Sequence, residues 1–173
     1  MRLRLVAPTE RLRATFLCAR AEFRREGLPW WVGGDVELAE RDFGAFVAKK
    51  LADANPGDAA IPVTHLWAVA GDDDEEMVGR VSVRHALDDA LRVVGGHIGY
   101  DTVPSHRGRG VASEMLRQAL PVARSLGLTR VLITCDDTNA ASIRVIERNG
   151  GSLWATRALA ASGLRKRYYW LTT

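Results

Sequence analysis

Cysteine, lysine and long apolar runs are all scarce in this 173-residue chain. The two cysteines, Cys18 and Cys135, lie far apart in apolar periodic segments. Such a pair supplies neither a disulfide framework nor a metal spacing, and both read as small buried hydrophobes in a reducing compartment. Lysine occurs only as Lys49, Lys50 and Lys166, so arginine carries most of the positive charge. The 24 basic residues are interleaved with 21 acids, for a formal net charge of +3. No basic block forms, which argues against a nucleic-acid partner. No apolar run approaches the ~20 residues of a membrane span, so no membrane partner is expected. The apolar stretch behind the basic start is too short for a signal peptide, and the expected location is cytoplasmic. The acidic run Asp72-Asp73-Asp74-Glu75-Glu76 lacks the calcium-loop spacing and reads as a solvated hairpin tip; no metal is expected. Internal repeats and low-complexity linkers are also missing.

What remains is an ordinary globular composition, 47% hydrophobic and 26% charged. The length suits one domain, residues 1–173, with a full hydrophobic core. Strands are expected at 3–7, 65–70, 77–85, 97–103, 131–135, 152–159 and 165–171. The stripe Leu12, Phe16, Ala19 and Phe23 predicts a helix over 10–26, capped by Thr9 and stopped by Gly27. A second stripe, Val36, Ala39, Phe43, Phe46, Val47 and Leu51, predicts one helix capped by Asp35. Between these helices Trp30 and Trp31 either line a pocket or plug one end of the core. A third helix runs from Gly108 to Leu126, where Pro121 predicts a kink or an early break. A fourth covers 140–149.

The most informative stretch is Pro104-Ser105-His106-Arg107-Gly108-Arg109-Gly110-Val111-Ala112-Ser113. A strand enters it, and Ala112, Met115, Leu116, Ala119 and Ala123 leave it at helical spacing. The first turn of a helix offers free N–H groups and the positive end of the macrodipole. Glycines let the backbone approach a ligand closely, and arginines grip phosphate oxygens. The stretch therefore reads as an anion cradle suited to a pyrophosphate. It lacks the Walker run, and Gly108 with Gly110 is weak evidence for a dinucleotide fingerprint. A solvated Arg/Gly turn is the plain alternative. An RNA-binding Arg-Gly loop would want interleaved aromatics, and this one has none.

A second segment decides between them. The apolar run Val131-Leu132-Ile133-Thr134-Cys135 reads as a buried strand. It is followed by Asp136-Asp137-Thr138-Asn139-Ala140-Ala141-Ser142, a short helical pattern, and Asn149-Gly150-Gly151. Together with Arg107-x-x-Gly110-x-Ala112, this order resembles the GNAT superfamily of N-acetyltransferases. The resemblance is sharpest from Gly95 to Gly151.

That resemblance implies an α/β (α+β) fold with a mixed, mostly antiparallel twisted sheet, a central splayed parallel strand pair, and helices on both faces. It implies acetyl-CoA as co-substrate. By analogy Tyr100, Thr102 and Val103 offer backbone partners to the pantetheine arm. Arg107, Gly108, Arg109, Gly110, Val111, Ala112 and Ser113 hold the pyrophosphate, and Asn139 and Ser142 face the arm. The reaction implied is acetyl transfer to an amine of a small molecule or peptide; monomer and homodimer stay open. The family's frequent thiolate acid, a tyrosine seven residues beyond the Asn, is replaced by Ile146. Ser142, Tyr100, Tyr168, Tyr169 or water then remain as donors, and a non-catalytic acyl-CoA-binding module is the alternative reading. His97, at the start of the central strand, is the expected base, since an imidazole pKa of ~6.5 suits proton removal at neutral pH. A histidine bonded to backbone is the competing reading of the same residue. His85 is the second choice as base; His106 falls in the cradle and His65 opens an earlier strand.

Overall fold

The computed structural model describes residues 2–27, 35–57, 60–71, 76–159 and 162–173. Trp30, Trp31 and the acidic tip at 72–75 lie outside them. Among the described residues, seven strands form two sheets. The first has the order β1-β2-β3-β4, with β1 Leu3–Val6, β2 Val63–Ala70, β3 Glu76–Arg84 and β4 Ile98–Thr102. The second has the order β5-β7-β6, with β5 Arg130–Asp136, β6 Ser152–Ala158 and β7 Arg165–Thr172. Every strand pair in both is antiparallel.

Six α-helices among the described residues clothe the sheets: α1 Arg13–Arg25, α2 Val36–Arg41, α3 Phe43–Ala52, α4 Asp89–Val93, α5 Val111–Ser125 and α6 Ala140–Arg148. On one face of the first sheet, Val111, Met115, Leu116, Ala119 and Ala123 of α5 pack against Val81, Val83 and Ile98, and the same core reaches Val131, Ile133 and Ile146. On the other face, Phe16 and Phe23 of α1 and Phe43 and Phe46 of α3 pack on Trp67 and Met77. The rings of Phe16, Phe43, Phe46 and Trp67 lie 5.1 to 6.4 Å apart. The first sheet is thus covered on both faces.

Several sequence expectations are corrected. The single helix over 36–51 is two, because Asp42 is extended and its carboxylate accepts the Ala45 N–H at 2.9 Å, capping α3. Asp35 does not cap; its carboxylate binds Lys50 Nζ at 2.7 Å and Lys49 Nζ at 3.2 Å. Consequently Lys50 is buried and Leu51 is exposed. Thr9 precedes a 3-10 turn without capping it. Cys18 is exposed, whereas Cys135 is buried. Pro121 does not end its helix: α5 runs on to Ser125. Pro121 and Arg117, whose carbonyl the missing N–H would have bonded, are both exposed, so water can serve that carbonyl.

Candidate functional site

The site begins where the two sheets meet. Gly95–His97 runs against Leu132–Thr134: the His97 N–H donates to the Leu132 carbonyl at 2.7 Å, and Gly96 bridges Ile133. Beyond that bridge no ladder joins β4 to β5 among the described residues. Thr102, the last residue of β4, and Asp136, the last of β5, nevertheless line one cleft. The bridge is antiparallel, so the expected parallel pairing of 97–103 with 131–135 is absent among the described residues; the two strands touch only there and are unpaired beyond it.

The ladder fixes which backbone groups face the gap. Val103 N–H donates to Val78 O at 3.0 Å and Arg84 N–H to His97 O at 2.8 Å, so Gly99 and Asp101 turn both backbone groups toward β3, His97 only its C=O and Val103 only its N–H. Tyr100 and Thr102 consequently turn theirs away from β3, into the gap. Val103 does not: its N–H is spent on Val78, and its side chain is buried in the α1–α3 core.

The cleft encloses about 760 Å³. Of the residues expected to hold the co-substrate, Tyr100, Thr102, Arg107, Gly108, Gly110, Val111, Ala112, Ser113, Asn139 and Ser142 line it, while Val103 and Arg109 do not. Gly108 and Gly110 sit at φ +74 and +80, and Gly110 is the N-cap of α5. A Cβ on either would meet nothing within 4 Å, so the glycines serve the left-handed backbone and leave the cradle mouth open. The N–H groups of Val111, Ala112 and Ser113 open α5 behind them, as anion binding requires. Arg107 is held across the mouth by the Glu26 carboxylate at 2.8 and 3.0 Å and lies over the Phe23 ring. Asn139 caps α6, its Oδ1 accepting the Ser142 N–H at 3.0 Å. Asn149 ties the two helices together, its Nδ2 donating to Ser113 Oγ at 3.1 Å and Val145 O at 2.8 Å.

Tyr100 carries the one buried side-chain polar atom without a hydrogen bond among the described residues. Its Oη faces the Ser142 hydroxyl but makes no bond of ordinary geometry with it. Burial raises its pKa to about 12, which keeps the phenol protonated and a donor. That hydroxyl, on a residue lining the cleft, has donor capacity that the protein itself does not use.

His97 is put to another use than proton removal. It does not line the cleft. Its Nδ1 accepts the Leu132 N–H at 2.9 Å in a buried position, and burial, then Arg92 and Arg84, lowers its pKa. A nitrogen that accepts from a backbone N–H cannot also take up a proton without breaking that bond. Tyr168 and Tyr169 are likewise committed, their hydroxyls donating to Val93 O at 3.0 Å and Glu147 Oε1 at 3.1 Å. Ile146 is fully buried in the core.

The chain's relatives agree with this geometry. The family described as Acetyltransferase (GNAT) domain matches residues 2–152. The chain belongs to the GNAT acetyltransferases. Among curated proteins, none matches its sequence significantly. Solved GNAT structures share the fold at low identity. Mycobacterium smegmatis RimJ, solved with CoA-disulfide, superposes with a TM-score of 0.68 at 20% identity, over 99% of this chain and 81% of that one. The microcin C7 self-immunity acetyltransferase MccE, solved with acetyl-CoA and AMP, gives 0.68 at 15%, over 99% and 92%. A Salmonella typhimurium enzyme that modifies the N-terminal serine of ribosomal protein L7/L12 gives 0.68 at 19%, over 99% and 95%.

This GNAT domain also shows residues that periodicity did not single out. Arg144 and Arg148 of α6 line the cleft with no carboxylate partner among the described residues. They lie one turn apart, and that i, i+4 spacing was the available signal. Asp101 lines it too, with its Oδ2 bonded to Arg80 Nε at 2.9 Å and Nη2 at 2.8 Å. Among the described residues no group of three or more His, Cys, Asp or Glu is placed to hold a metal, and no helix is long and apolar enough to cross a membrane.

Proposed function

We propose that this GNAT domain, acting as one unit over residues 1–173, moves the acetyl group of acetyl-CoA directly to an amine of a small molecule or peptide. The observation that carries this is the gap between β4 and β5, with a glycine-mouthed helix N-terminus at its end. The pantetheine amides pair with the outward groups of Tyr100 and Thr102 as an added strand would. The diphosphate sits on the first N–H groups of α5, and the Asn139 amide turns to the arm. Arg144 and Arg148 supply positive charge along the far wall. These residues fit the co-substrate, and the orphaned Tyr100 hydroxyl gives it a reason to be there.

Acetyl-CoA supplies an activated thioester. The chain's part is to orient it and to protonate the leaving sulfur. With Ile146 silent and Tyr168 and Tyr169 committed, Tyr100 and Ser142 are the donors at hand. A thiol with a pKa of ~8.5 leaves with modest help, so this weaker pair suffices. The fully formed cleft and the free donor favour an enzyme over a non-catalytic acyl-CoA-binding module.

The test is Gly110→Asp. A carboxylate at the N-cap of α5 repels the diphosphate and strains a left-handed backbone. Calorimetric affinity for acetyl-CoA is expected to fall at least about a hundredfold, about 2.7 kcal/mol. Equal affinity in wild type and variant would remove the cradle from the account.

A further inference from the structure

On the face of the first sheet away from α5, the pairing register sets His65, Ser82 and Gly99 in one row across β2, β3 and β4. The row ends at the gap, because β4 is the edge strand there. Ser82 Oγ lies 3.3 Å from His65 Nδ1, and His65 Nε2 lies 3.1 Å from Asp53 Oδ2. Asp53 is also bound by Lys50 Nζ at 3.4 Å. A carboxylate paired with Lys50 only accepts, so Nε2 carries the imidazole proton and Nδ1 is bare. The Ser82 hydroxyl must then donate to Nδ1, which leaves its oxygen lone pairs facing outward. Gly99 places no side chain beside them. Gly99, Ser82 and Asp101 are all only half-buried, although neither Ser82 nor Gly99 lines the cleft itself. Asp101, in the next row, already lines the cleft.

From this we infer that the acceptor nitrogen meets the thioester over Gly99, and that Ser82, His65 and Asp53 form the relay that removes its proton. The inference rests on the acetyl transfer proposed above. The amine nitrogen bonds the carbonyl carbon, the C–S bond breaks, and its electron pair leaves on sulfur. The proton on nitrogen passes to Ser82 Oγ as the Ser82 hydroxyl proton passes to His65 Nδ1. Asp53 holds the imidazolium until the proton returns to solvent. Ser82 touches the reacting nitrogen; His65 and Asp53 are positioning residues that act through it.

The charged groups around the row suit this task. Lys50 and Asp53, from α3 and its C-terminal end, and Arg80, from β3, act on the ring. Burial, then Lys50, lowers the His65 pKa to about 4 against the pull of Asp53, so the ring stands neutral and takes the proton only as the attacking nitrogen turns acidic on bonding carbon. Arg84 lies where a Cβ on Gly99 would come within 3.8 Å of its guanidinium, and that guanidinium donates to the Gly96 carbonyl. A cation beside the incoming amine favours its neutral, attacking form.

The experiment compares wild type with Ser82→Ala, Ser82→Thr and His65→Gln. Thiol release from acetyl-CoA is followed with water alone and with a serine-initiated peptide as acceptor. A relay of this kind is expected to contribute about a hundredfold to turnover. Ser82→Ala and His65→Gln should each lose that factor and most of the solvent deuterium isotope effect, while Ser82→Thr, which keeps the hydroxyl, retains both. Acetyl-CoA affinity, measured on the same proteins, separates the two readings. Lost turnover with intact affinity supports the relay. Unchanged turnover and isotope effect overturn it and leave the donor site standing. A wild type that does not bind acetyl-CoA removes both.

Discussion

At its closed end the gap between β4 and β5 is sealed by His97, whose backbone N–H and ring Nδ1 satisfy both polar groups of Leu132. A few residues along, at Tyr100 and Thr102, backbone groups of the same strand face open space, and a phenol is left without a partner. One end spends a side chain to finish a sheet; the other leaves the sheet unfinished. Leaving buried polar groups unpaired is costly, and the cost persists in a fold only where something else meets them. The contrast separates the residues that hold the two sheets together from those that serve a ligand, although both kinds lie on one short strand.

The largest expected effect comes from breaking the closed end. His97→Ala strands the Leu132 N–H in the core and removes a buried ring, and unfolding in urea should show a loss of about 3 kcal/mol. Acetyl-CoA affinity should change little, because His97 does not line the cleft. The same residue predicts a pH effect. Its folded pKa lies below its unfolded value, so the stability it supports is complete above the unfolded pKa of ~6.5. That stability falls as pH drops from there toward the lowered folded value. The alanine variant should lose part of this acid slope. A turnover profile that moved instead, at unchanged stability, would return His97 to the role of base.

The divided roles of this strand also show what the sequence could and could not tell. The cradle was legible because it is local: two glycines ahead of a helical stripe state their own backbone. The succession of strands and helices followed from motif order, but the parallel pairing of 97–103 with 131–135 did not, since Gly96 meets Ile133 in an antiparallel bridge. The role of His97 was not legible, because its partner is the backbone of Leu132, 35 residues away. Nor were Val103 and Arg109, since alternation says which residues share a face but not which faces see the gap. Asp42 was missed because the apolar stripe runs on through it, and only the extended backbone there reveals the break. His65 reads as an ordinary strand opener until Asp53 and Ser82 are brought to its two nitrogens by the turn after α3 and the β2–β3 register.

A smaller change tests the open end. Tyr100→Phe deletes the unpaired hydroxyl and keeps the ring. The free protein should gain about 1 kcal/mol, since an unsatisfied buried group disappears. Turnover should fall about tenfold, or about 1.4 kcal/mol in barrier, as the leaving sulfur loses its donor. Opposite signs for stability and turnover are the signature of a group kept for a ligand. A matched loss of both would make Tyr100 a core residue like its neighbours.

The smallest effect lies on the far wall. Arg144 and Arg148 stand one helical turn apart without carboxylates among the described residues, and like charges at that spacing repel by a few tenths of a kcal/mol. Such a pair is tolerated on an exposed face, but its direction into the cleft points to an anionic visitor. Arg148→Ala should therefore weaken acetyl-CoA binding by about threefold at low ionic strength while leaving the protein as stable or slightly more so. Because both guanidinium groups are exposed, the difference should shrink toward nothing as salt rises past a few tenths molar, where the Debye length falls to about 5 Å. Gly110→Asp should keep most of its penalty under the same salt, since its carboxylate displaces the diphosphate from the helix N-terminus itself. Two variants that respond alike to salt would mean that the cleft attracts its ligand by diffuse charge alone, and that the unfinished strand edge contributes no seat of its own.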